Sequence, residues 1–62
     1  MLTRKPAIGE TLRYHDGRTF QVVSVVGTLC WIRYPDGGIE PFIWQFKEGL
    51  NSSFSHVTPE PP

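Results

Sequence analysis

Residues 28–46 read TLCWIRYPDGGIEPFIWQF, two runs of β-branched and aromatic residues, Thr28 to Tyr34 and Ile39 to Phe46, folded about Pro35-Asp36-Gly37-Gly38. An Asp-Gly pair between such runs is the strongest short-range hairpin signal a sequence carries. The signal recurs upstream, where Asp16-Gly17 separates Thr11 to Tyr14 from Thr19 to Val26. Turns at this spacing predict a small all-β domain, and no segment of useful length has the helical period.

Each run carries further information. In Thr11 to Tyr14, Leu12 and Tyr14 alternate with Thr11 and Arg13, as in a half-buried strand. In Thr19 to Val26 the parity slips, with Phe20 and Val22 on one side and Val23 and Val25 on the other. A bulge near Val22-Val23, or a strong bend, reconciles them. Leu29 to Tyr34 is apolar on both parities, so either both faces are covered or one carries aromatics for a partner. Pro41 cannot donate to a ladder, which makes the fourth run an edge strand or breaks it there. Phe42, Trp44 and Phe46 share one parity and line one face of a regular strand, either the interior or a self-association surface. Lys47 to Asn51 reads as a turn and Ser53 to Val57 as a brief last strand docking Phe54 or Val57. The domain is therefore expected over residues 8–57, after a disordered polar arm at 1–7 and before a disordered proline-rich tail at 58–62.

Sixty-two residues are near the lower limit for independent folding. Chains this small usually add a disulfide, a metal or a second subunit. Cys30 is the only cysteine, which excludes an internal disulfide and leaves too few soft ligands for a structural zinc, so of the three devices self-association is the one left open. Six basic residues balance six acidic ones, so no large positive field draws the chain to nucleic acid or anionic lipid. No apolar stretch approaches the roughly 20 residues that span a bilayer, and nothing hydrophobic follows the charges of Met1 to Pro6. The expectation is a cytoplasmic protein.

The segment Ile32-Arg33-Tyr34-Pro35-Asp36-Gly37-Gly38-Ile39-Glu40 resembles the central hairpin of SH3-like barrels, Tudor-type modules in particular, and Gly9-Glu10-Thr11-Leu12-Arg13 resembles the entry to their first strand. The resemblance spans Ile8 to Phe46. It implies a barrel of four or five antiparallel strands with surplus rings near its mouth. Tudor-type domains hold methylated Lys or Arg among aromatic rings, which attract a cation to their faces. The positions here that correspond in kind are Trp31, Tyr34, Phe42 and Trp44, with Tyr14 the only ring of the first strand. A tetrameric dihydrofolate reductase also uses such a barrel, with Val-Gln-Ile-Tyr in its pore. The stretch here, Pro41-Phe42-Ile43-Trp44, lacks the Gln and Tyr and speaks against that enzyme.

No catalytic signature stands out. His15 lies beside a turn and His56 near the end, neither with a paired nucleophile. Cys30, between Leu29 and Trp31, has the setting of an inert buried thiol. Asp16 and Asp36 are explained by the turns. The leading expectation is a non-enzymatic module, without cofactor or metal, that meets a protein partner or a second copy through Trp31, Tyr34, Phe42 and Trp44. The alternative is a small nucleic-acid-binding protein that uses Arg13, Arg18 and Arg33 beside aromatic rings.

Overall fold

Both Asp-Gly turns are built alike. In Tyr14 to Arg18 the Gly17 amide donates to the Tyr14 carbonyl and the Tyr14 amide to the Arg18 carbonyl; in Tyr34 to Gly38 the Gly37 and Tyr34 amides repeat the pair. Gly17 and Gly37 both sit at φ 95°, where a side chain would be strained. The Asp two residues before the end of each loop accepts a further amide, from Arg18 and from Gly38. Local chemistry thus fixes two reversals twenty residues apart, each opening on a tyrosine.

A computed structural model describes residues 1–57, an all-β chain of seven strands. They are β1 (Thr11–Tyr14), β2 (Thr19–Val26), β3 (Leu29–Arg33), β4 (Ile39–Ile43), β5 (Gln45–Phe46), β6 (Gly49–Leu50) and β7 (Phe54–His56). Five form an antiparallel sheet in the order β4-β3-β2-β1-β7, and β5 and β6 form a separate ribbon. The tail expected at 58–62 lies outside the described residues.

The bulge is where the parity slip puts it. Register jumps between Val22/Ile32 and Ser24/Trp31, so Val23 is the extra residue. Phe20 and Val22 before it, and Val25 after it, therefore all reach the inner face, where they meet Leu12, Cys30 and Ile32. β4 is an edge strand and does not break at Pro41. The Trp44 amide bonds the Thr28 carbonyl and the Tyr34 amide the Gly38 carbonyl. By antiparallel alternation, the Trp31/Pro41 pair lies between bonded pairs, with the proline nitrogen facing the open edge.

Three expectations are corrected. The sheet does not close into a barrel by hydrogen bonds: β4 and β7 are its two edges, and the stacked rings of Phe42 and Phe54, centroids 4.0 Å apart, lie across the gap instead. The arm at 1–7 is docked rather than disordered, with Leu2 and Pro6 buried and the Leu2 amide bonded to the Asn51 carbonyl. Phe42, Trp44 and Phe46 do not line one face, because the strand is interrupted at Trp44 and Phe46 is 41% exposed.

Glu10 holds the docked segment. Its carboxylate is almost wholly buried, and accepts from Arg4 Nη1 at 2.9 Å, the Ala7 amide at 2.6 Å and His56 Nδ1 at 3.0 Å. Since the Thr3 amide donates to His56 Nε2, the ring proton belongs on Nδ1, pointing at Glu10. Burial alone would raise the Glu10 carboxyl, but the bonds from Ala7, His56 and Arg4 outweigh it and hold the group below its ordinary value of 4.5.

Candidate functional site

The inner face has more rings than its core can enclose. Tyr14 and Tyr34 stand at the same end of β1 and β3 because those strands run in the same direction, and Phe20, at the start of β2, lies between them. The Phe20 and Tyr34 centroids are 4.9 Å apart, and Tyr14 and Phe54 5.0 Å. With the Phe42–Phe54 stack these rings line an open hollow of about 300 Å³. Ile32 belongs to its lining, and Arg18 and Glu40 bring opposite charges to it.

The charged groups are oriented by short-range bonds. Arg18 Nε bonds Asp16 Oδ2 at 2.6 Å, and the guanidinium carbon lies 5.6 Å from the ring centroids of both Tyr14 and Phe20. The bond from the Arg18 amide, then that from its side chain, lowers the Asp16 carboxyl. Across the hollow the Tyr34 hydroxyl donates to Glu40 Oε2, a bond that raises the Tyr34 phenol above 10.0. One resident cation thus lies over two rings, and an exposed carboxylate stands beside a third.

Of the four aromatic residues singled out in the sequence, Tyr34 and Phe42 belong to this hollow. Trp44 does not. It is core: 8% exposed, its indole N–H bonded to the Gly27 carbonyl at 2.8 Å, so it fills the end of the sheet beside the β2–β3 turn. Its shared parity with Phe42 does not carry over into a shared face, because β4 stops one residue before it. Trp31 pairs with Ser24 and Pro41 and points to the outer face, half-buried. Tyr14, Phe20, Phe54 and Glu40 were not singled out as a group; the repeat Tyr-X-Asp-Gly at 14–17 and 34–37 is the signal that pairs the two tyrosines.

The three arginines do not form one platform. Arg13 and Arg33 lie on the outer face, where their cross-strand partners are Thr19 and Gln21, whereas Arg18 reaches the inner rings and is paired with Asp16. Cys30 is fully buried, and burial pushes its thiol up to about 11, as an inert core residue requires. Among the described residues no group of His, Cys, Asp and Glu is placed to hold a metal, and no helix is long and apolar enough to cross a membrane. Comparison with protein-family models, curated proteins and solved structures finds no match.

Proposed function

We propose that this protein is a non-enzymatic binding module, an SH3-like sheet whose aromatic hollow takes a cationic side chain from a protein partner. The observation that carries the reading is the Arg18 guanidinium over Tyr14 and Phe20: the hollow's ring faces already attract a cation of the chain's own. Glu40, on the far side beside Tyr34 and Phe42, supplies a carboxylate for a second cation, and Asp16 offsets the charge of Arg18. The open position between β4 and β7 leaves the hollow accessible to an extended segment. The buried groups with catalytic chemistry are otherwise engaged: the thiol is sealed in the core, and His56 with Glu10 ties down the first residues. A lone buried thiol also suits a reducing cytoplasm. The nucleic-acid reading has less to rest on, since its arginines are split between two faces.

The test is an amide-resolved NMR titration of the full chain with N-acetyl-trimethyllysine methylamide, beside its neutral isostere with a tert-butyl terminus. The cation is expected to shift Tyr14, Phe20, Tyr34, Glu40 and Phe42 with millimolar affinity, the isostere binding about two- to fivefold more weakly, a difference matching about 0.5–1 kcal/mol for an exposed cation–ring contact. Tyr34→Ala should weaken the cation and leave the fold intact. Equal response to both ligands, or shifts confined to residues outside the hollow, would refute the reading.

A further inference from the structure

The sheet has a second face, which the hollow does not use. Cross-strand register places Ile43, Leu29 and Val26 in one row of the outer face and Pro41, Trp31 and Ser24 in the next. Neither row contains a charge. Val26 is 64% exposed, Ile43 44% and Leu29 38%, and Trp31 is only half-buried at the centre. Scattered apolar residues on a surface need no explanation, but adjoining rows across three strands do.

We propose that this face is the contact between two copies of the chain, packed outer face to outer face about a two-fold axis. Three observations select that occupant. First, the β4 edge that borders this face lacks an amide donor at its midpoint, where the Pro41 nitrogen faces outwards, so a partner gains more from the apolar rows than from adding a strand to β4. Second, the face is self-complementary. The two arginines of the outer face, Arg33 and Arg13, both lie beyond the Trp31 row, and a two-fold axis along the rows carries them to opposite ends of the pair, so apolar rows meet without like charges opposed. Sheets pair in this way at about 10 Å separation. Third, the monomer is short of core: its main cluster has eight buried apolar residues, and Cys30 is free. Chains of this size commonly make up the shortfall by association.

The area fixes how strong the pair is. Three strands about 4.8 Å apart, over five residues of about 3.4 Å, give a face of roughly 250 Å² in plan. Even with its polar surround, the pair buries less than about 1,200 Å², which places it among reversible interfaces rather than obligate ones. Both hollows then point away from the contact, so a dimer offers two binding sites, although the contact does not depend on either being occupied.

Sedimentation velocity from about 10 μM to about 1 mM tests this. Wild-type protein is expected to move from monomer towards twice that mass, with dilution-dependent NMR shifts at Val26, Leu29, Trp31 and Ile43. Leu29→Lys and Ile43→Lys should stay monomeric with unchanged circular dichroism; if either fails to fold, the wild-type dilution shifts decide. A monomer throughout, dilution shifts elsewhere on the chain, folded Lys variants that associate like wild type, or mass rising past the dimer would each overturn the proposal. So would a chain that stays monomeric in solution and co-sediments with phosphatidylcholine vesicles, which would give the face to lipid.

Discussion

Trp44→Ala is expected to remove most of the protein's stability. The side chain is buried at one end of the core, its indole N–H bonds the Gly27 carbonyl, its amide the Thr28 carbonyl, and its own carbonyl accepts the Asn51 amide. Truncating a buried Trp costs about 3–5 kcal/mol through lost burial and the cavity left behind. A chain of 62 residues has a total of about 3–9 kcal/mol to lose. The melting midpoint, followed by far-ultraviolet circular dichroism, should fall by at least about 12 °C. Trp44→Phe should recover much of the packing and forfeit the Gly27 bond. A midpoint within a few degrees of wild type for the alanine variant would mean that Trp44 is a surface residue after all.

The second large effect is expected at Glu10. Glu10→Gln keeps the shape of the side chain but removes the charge that receives Arg4 and His56, and should cost about 2 kcal/mol, in the range for hydrogen bonds to a charged group. The pH dependence follows from the direction of the shift. The folded carboxyl lies below 4.5, so on acidification the unfolded chain takes up the proton first. The contribution of Glu10 is therefore complete above pH 4.5 and is lost as pH falls through the lower folded value. Asp16, also lowered, acts in the same direction at an exposed site, so the difference between wild-type and Glu10→Gln urea curves isolates Glu10. That difference should shrink between neutral pH and the acid side of the folded value. A constant difference over this range would show that the carboxylate does not hold the first seven residues.

What could be read from the sequence was what neighbouring residues decide. Asp-Gly pairs set both reversals, the slip in apolar parity located the Val22/Ser24 bulge, and a proline without an amide proton placed β4 at an edge. What could not be read depends on residues far apart meeting. Glu10 gives no local sign of burial, and its partners at Arg4 and His56 are what turn residues 1–7 from a polar arm into a docked segment that buries Leu2 and Pro6. Trp44 looked continuous with Phe42 because a break in a strand does not alter the alternation of residue types. The hollow was half legible: Tyr34 and Phe42 follow from the density of rings in the central hairpin, whereas Tyr14, Phe20 and Phe54 join them only because β1, β2 and β7 bring the same sheet end together.

The two sheet edges are joined by rings rather than by backbone, and that gap gives the hollow its opening. Side-chain nuclear Overhauser effects combined with amide exchange test it directly. Strong cross-peaks between the Phe42 and Phe54 rings are expected, together with fast exchange of the Ile39 and Ile43 amides, which face the open edge of β4. Absence of those cross-peaks, with Ile39 and Ile43 protected by bonds to β7, would mean a closed barrel and no such opening.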